Sequence, residues 1–246
     1  MRTILSRTFA LVVTLALAAS AHAAPIFTED FESFSEGAIT TAVSDSFTIT
    51  NGFNNRTDFW AVEGPGSNPA GTGNNGGDLF GTGNTRGFGL RDLDDSNNPG
   101  PPNYITFDPI ATTGLSGFSF SFDVTNDVGS GNTTSADELR VIFDLDYDGS
   151  TFDADETYTL TGNGSGALTD GTTAAVEGSF RNFSHALASD PTGALGVRIE
   201  AVSFTGGGDQ VTFDNVQVSA IPEPASLVLL AAGGLLMLPR RRGRTV

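Results

Sequence analysis

The 246-residue chain contains no cysteine and no lysine. Without cysteine there is neither a disulfide framework nor a thiolate metal site, so the fold must rest on a core or on bound metal. Without lysine there is no Schiff-base amine and no G-K-[ST] phosphate loop; all twelve basic residues are arginine. Histidine is nearly as scarce, with only His22 and His185, which removes the usual His-rich zinc site. Trp60 is the single tryptophan, and Tyr104, Tyr147 and Tyr158 are the only tyrosines. The apolar runs near the two ends both fall short of the ~20 residues of a permanent membrane helix. What is plentiful is negative charge: 29 acids give a formal net charge of −17.

The two ends differ from the rest. Arg2 and Arg7 form a positive n-region, Phe9 to Ala19 an apolar h-region, and Ala21-His22-Ala23 a small-x-small cleavage site. Residues 1–23 are therefore expected to be a signal peptide, with the mature chain starting at Ala24. At the other end Pro222-Glu223-Pro224 precedes an uncharged run, Ala225 to Leu238, and then Arg240, Arg241, Arg242 and Arg244. Fourteen helical residues span roughly 21 Å against a hydrocarbon core of roughly 30 Å. Gly233 and Gly234 weaken that helix further. The arginines would hold its C-terminal end on the cytoplasmic side.

The three ordered parts of residues 221–246 resemble the PEP-CTERM sorting signal of Gram-negative bacteria that make extracellular polysaccharide. The resemblance implies transient anchoring in the inner membrane and recognition by an exosortase-type processing protease. It also implies removal of the tail and delivery to the cell surface or extracellular matrix, where the partner is a polysaccharide matrix. The signal is an address, and the rest of the chain must speak for itself.

Ala24 to Ala220 is long enough for one well-buried domain. Setting aside the six arginines and one glutamate of the terminal segments leaves 28 acids against six arginines, a formal charge of −22. Such a surface repels nucleic acid and anionic lipid and favours divalent cations.

The domain is expected to be all-β. In Gly117 to Thr125, "GFSFSFDVT", Phe118, Phe120, Phe122 and Val124 point one way, and Ser119, Ser121 and Asp123 the other. Further strands are expected at Tyr104–Phe107, Leu139–Leu145, Thr157–Thr161, Leu195–Phe204 and Gln210–Val218, with Gly, Asn, Asp and Pro in the gaps. In the last of these, Val211 and Phe213 share one phase and Val216 and Val218 the other. The slip at Asp214-Asn215 predicts a bulge. Many short strands with polar turns argue for a single two-sheet, jelly-roll-like sandwich. Glu63–Gly77 and Asp92–Pro102 are expected to be long loops.

"TEDFES" at Thr28–Ser33 and "VTFDNVQVS" at Val211–Ser219 resemble the first and last strands of jelly-roll sandwiches, a group that includes carbohydrate-binding modules and concanavalin-like lectins. The resemblance implies that the two ends pair and that acids near them, here Glu32 and Asp214, hold a structural metal. Ordinary exposed acids on edge strands are the other interpretation of the same residues.

A second metal signal is chemical. Asp144, Asp146 and Asp148 are followed by Gly149, and Ser150 occupies the seventh position of an EF-hand-type calcium loop. The twelfth position is Asp155, with Glu156 next. The flanks read as strands, so this would be a calcium loop between β-strands. Six carboxylates between Asp144 and Glu156 repel one another unless a cation is present. A solvated acidic turn is the alternative.

Catalysis finds little support. His22 leaves with the signal peptide, and His185 has no nucleophile signature such as G-x-S-x-G around it. Acids are so abundant that no carboxylate pair stands out as a glycosidase dyad. The chain therefore reads as a non-catalytic surface or matrix protein of an exopolysaccharide biofilm, binding glycan or building matrix. The alternative is a secreted glycan-active hydrolase. Trp60 is expected to pack in the core.

Overall fold

The computed structural model describes residues 22–34, 46–55, 58–63, 86–91, 93, 102–126, 133–175, 179–205 and 210–223; of these, the side chains of 53–55, 58–59 and 63 are not described. Ala21 of the cleavage site, Pro224 and the arginine tail lie outside this set, as does most of both expected loops. Every element among the described residues is a strand. In chain order they are β1 Ala24–Glu29, β2 Phe47–Thr50, β3 Phe53–Asn55, β4 Asp58–Glu63, β5 Gly87–Arg91, β6 Asn103–Phe107, β7 Leu115–Asn126, β8 Glu138–Tyr147, β9 Glu156–Gly162, β10 Leu168–Thr169, β11 Arg181–Ala186, β12 Ala194–Val202 and β13 Gln210–Pro222.

All six strands expected from the alternation are present, most extended by one to four residues at an end. They form two antiparallel sheets, ordered β11-β7-β13-β5-β4-β3 with β1 also on β13, and β10-β9-β8-β12-β6-β2. The protein is an all-β, two-sheet sandwich. The alternating phenylalanines of β7 explain the packing. Phe118, Phe120, Phe122 and Val124 are at most 2% exposed, and Phe120 meets Phe143 of the opposite sheet edge-on at 5.5 Å between ring centroids. Each such ring contributes about 1.5–3 kcal/mol on burial. Trp60 is fully buried, 4.8 Å from Phe88.

The first and last strands do pair: Ala24 lies opposite Ala220 and Glu29 opposite Val216. The first strand, however, is Ala24–Glu29 and not Thr28–Ser33. The cause is local. Glu29 turns its carboxylate onto the chain ahead, and its Oε1 accepts the Phe31 N–H at 2.8 Å. Phe31 adopts a left-handed φ of 54° and is fully buried, its ring 5.7 Å from Phe47 and 5.9 Å from Phe213.

The expected slip in the last strand is a bulge. Between Asp214, opposite Asp123, and Gln217, opposite Ser121, β13 spends one residue more than β7. Asn215 takes the left-handed φ of 50°. Before the bulge β13 pairs with β5, and after it with β1, so the two share one edge of the same strand. The strand also runs past Ala220. Ile221 and Pro222 pair with Ser116 and Leu115, and the Glu223 N–H donates to the Gly114 carbonyl at 2.8 Å.

Candidate functional site

The acidic loop joins β8 to β9. Its tip turns at Gly149, which has a φ of 84°. Asp148 fixes that turn: its Oδ1 accepts the Ser150 N–H at 2.8 Å, the Ser150 hydroxyl at 2.7 Å and the Thr151 N–H at 3.0 Å. These donors, the Thr151 N–H foremost, hold the Asp148 carboxyl below its ordinary pKa. Asp144 is buried and accepts the N–H groups of Asp146 and Asp153 at 3.1 and 2.8 Å. Asp155 accepts the Leu145 N–H at 2.8 Å while its own N–H donates to the Phe143 carbonyl. The loop is thus laced back to β8 at both ends.

The lacing brings together three of the six expected ligands. Asp144, Asp146 and Asp155 each place one carboxylate oxygen within 4.8 Å of the others. Asp146 has its pKa raised, by desolvation and by repulsion from Asp144 and Asp155. Asp148 is not in that group; its Oδ1 is taken up by the turn that holds Ser150. Glu156 is turned away as well: its Oε1 bonds His185 Nε2 at 2.6 Å and its Oε2 accepts the Ala188 N–H at 2.9 Å. The arrangement is not that of an EF-hand loop. It is an open three-carboxylate group that could grip a calcium ion only with water or further oxygens completing the shell.

The second expected pair lies at the bulge. Asp214 is 2% exposed, and its Oδ1 accepts the Asn215 N–H at 2.6 Å. Burial, followed by repulsion from Glu32, Asp123 and Asp30, pushes its pKa up to about 7 despite that hydrogen bond. Glu32 is engaged with Arg86, whose N–H donates to Glu32 Oε1 at 2.6 Å and whose guanidinium donates to the Glu32 carbonyl. Glu32 and Asp214 therefore share one acidic neighbourhood, but with no third acid do they form a close three-carboxylate group among the described residues.

Three arrangements are not legible in the sequence. Asp123, on the outer face of β7, accepts Asn182 Nδ2 at 2.8 Å and Asn215 Nδ2 at 2.9 Å. Beside it opens a cavity of about 470 Å³, lined also by Asp30, Ser121 and Gln217. The strict alternation had already put Ser121 and Asp123 on this face; Asn182 came from a strand with no period. On the other sheet Arg198 lies between the rings of Tyr104 and Phe152, 4.1 and 4.0 Å from their centroids. His185 is stacked between Tyr158 at 4.9 Å and Phe143 at 5.8 Å.

No protein-family model matches the chain, and no curated protein is similar to it in sequence. Solved structures are similar in fold. A cyclase from Fischerella sp. TAU superposes with a TM-score of 0.50 at 14% identity, over 82% of this chain and 98% of that one. A cleaved adhesin domain of Lys-gingipain from Porphyromonas gingivalis gives 0.48 at 15% identity, over 80% and 99%. An α-L-arabinofuranosidase gives 0.45 at 10% identity, over 82% of this chain and 27% of that one. At these identities the likeness is one of fold. The class that fold and comparisons define is the antiparallel two-sheet β-sandwich.

Proposed function

We propose that this is an exported, non-catalytic β-sandwich of the bacterial cell surface or extracellular matrix that binds polysaccharide, its loops steadied by calcium. The observation that carries the export reading is the pairing of the two ends. Ala24, at the expected signal-peptide cleavage point, lies opposite Ala220, just before the Pro-Glu-Pro motif. The residues to which the two expected targeting segments are joined therefore lie side by side. Mass spectrometry of native surface material should find a chain that begins at Ala24 and lacks the arginines. A full-length chain ending at Val246 and stably membrane-bound would refute this.

Calcium fits the donor set. Asp144, Asp146 and Asp155 offer hard oxygen ligands, and repulsion among them is relieved by a divalent cation. Glu32 and Asp214 form the second candidate, where a cation would offset the charge that Asp214 resists. The non-catalytic reading is supported by His185, whose ring is stacked between Tyr158 and Phe143 and whose Nε2 is bonded to Glu156.

One observation favours the hydrolase alternative. Asp214, its pKa pushed up to about 7 by burial, lies opposite Asp123, and a carboxyl that keeps its proton near neutrality is what a glycosidase needs as its general acid. Its burial argues against direct contact with substrate. A broad glycan array, run with calcium, decides: binding without release of reducing ends is expected. Release of reducing ends that Asp214→Asn abolishes would make the protein a hydrolase. No binding at all would leave a purely structural matrix role.

A further inference from the structure

The cavity beside the bulge has a chemistry of its own. Its floor is a row of three side chains, Asn182–Asp123–Asn215, in which both amides donate to the one carboxylate. The row is fixed from three strands: Asp123 lies opposite Asn182 of β11 on one side and Asp214 of β13 on the other. With one lone pair of each Asp123 oxygen so used, a second remains on each, and each amide keeps its carbonyl as an acceptor. Gln217 and Ser121, opposite each other in the register, continue the polar surface, and Asp30 stands at the rim. Among the described residues no basic side chain lines the cavity. Glu29, Asp30 and Asp123 are the charged residues of its lining, so the local field is negative.

A ligand for such a surface must be rich in donors and must not be an anion. A hydroxyl offers one hydrogen; an ammonium offers three and a compensating charge. The volume of about 470 Å³ is within the range of small-ligand pockets. We infer that this cavity holds an amino-bearing sugar residue of a polysaccharide, its ammonium at Asp123 and its hydroxyls against the asparagine carbonyls and Gln217. The inference rests on the glycan-binding function and names its site and ligand class.

Calorimetry on the purified protein in chelator-containing buffer, with a glucosamine tetrasaccharide and its N-acetylated counterpart, tests it. The free-amine form should bind at least tenfold more tightly. Asp123→Asn should weaken it about tenfold, the scale of losing a charged hydrogen-bond partner. Gln217→Trp fills the cavity without changing charge and should weaken it as much. Asp108→Asn removes the same charge from an exposed position away from the cavity and should change affinity less than about twofold. Thermal melts establish that each variant is folded. Equal losses in Asp123→Asn and Asp108→Asn would reduce the effect to diffuse attraction and overturn the site, as would unchanged binding by Gln217→Trp. If neither oligosaccharide binds while another glycan on a broad array does, the site is refuted and the glycan-binding function stands. If no glycan binds, both fall.

Discussion

Asp214 is where sequence, fold and pH meet, and Asp214→Asn is the sharpest perturbation of it. In the folded protein its carboxyl keeps its proton up to about pH 7, against 3.8 unperturbed. Between those values the folded state binds more protons than the unfolded state, so stability falls as pH rises through the window. The favourable contribution is complete below pH ~4 and lost above pH ~7. At face value the shift corresponds to about 4 kcal/mol. Solvent screening at a site beside an open cavity reduces this to roughly 2 kcal/mol. Asparagine is nearly isosteric, keeps an oxygen to accept the Asn215 N–H, and never ionises. In chelator, Asp214→Asn should therefore match the parent near pH 4 and exceed it at pH 8 by roughly 2 kcal/mol, or about 4–8 °C in Tm for a domain of this size. Calcium at pH 8 should recover the loss in the parent, and should stabilise the variant less than the parent, if Glu32 and Asp214 hold an ion in addition to the one at the acidic loop. Calorimetric melts at five or six pH values measure this. Parallel pH profiles for parent and variant would refute the account of Asp214 altogether.

At the acidic loop, Asp146→Ala should abolish the loop's share of calcium-dependent stabilisation, read at pH ~4 to 5 where Asp214 is protonated, with little loss in chelator, because that exposed carboxylate holds no N–H group of the loop. Asp144→Ala should be destabilising even in chelator, by about 1–3 kcal/mol, since the Asp146 and Asp153 N–H groups lose their acceptor; melts with calcium and with chelator separate the two. Asp170 has its pKa lowered to about 2 because, against desolvation, it accepts the N–H groups of Thr173 and Thr172, and also the hydroxyls of Thr172 and Tyr158. Its contribution is present above pH ~4 and lost as pH falls towards 2, so the cost of Asp170→Ala, about 1–2 kcal/mol at pH 7, should shrink in acid, as measured by denaturant titration at pH 7 and pH 2.5. Gly162→Ala would drive a methyl group into the Thr134 carbonyl oxygen, and should cost about 3 kcal/mol or more by the same titration.

The strands that could be read from the sequence are those buried on one face only. In β7 the serines and Asp123 look outward, so the alternation survives in the letters. β5, "GFGLR", hides both faces, with Gly87, Phe88, Gly89 and Leu90 all buried, and no period of two remains to be seen. β11 buries only Phe183 of its six residues, too little for a pattern, and with it went Asn182 and the row of amides around Asp123. At the acidic loop the spacing of Asp144 and Asp146 was informative because both stay near the end of β8. Asp148 lies outside the three-carboxylate group, and three donors within its own turn take up its Oδ1. Glu156, the alternative to Asp155 if the loop is offset by one, faces another way for a geometric reason. It opens β9, and successive residues of a strand face opposite ways, so where Asp155 reaches back to Leu145, Glu156 reaches to His185 instead.

One inserted residue accounts for much of what is distinctive here. The phase change in "VTFDNVQV" obliges both halves of β13 to face the core, Phe213 before it and Val216 after it, each fully buried. An unbulged strand would turn Val216 and Val218 to solvent. The bulge also ends pairing with β5 at Phe213 and lets β1 take the same edge from Val216 onward, which brings Ala24 against Ala220. It places Asn215, in a left-handed conformation that asparagine tolerates better than most residues, where its amide can reach Asp123 from the neighbouring strand. And it buries Asp214 among other acids. Core continuity, the joining of the two ends and the polar cavity thus trace to the same local slip. Deleting Asn215 should disturb all three together, whereas Asn215→Gly, which keeps the backbone conformation, should spare the fold and loosen only Asp123.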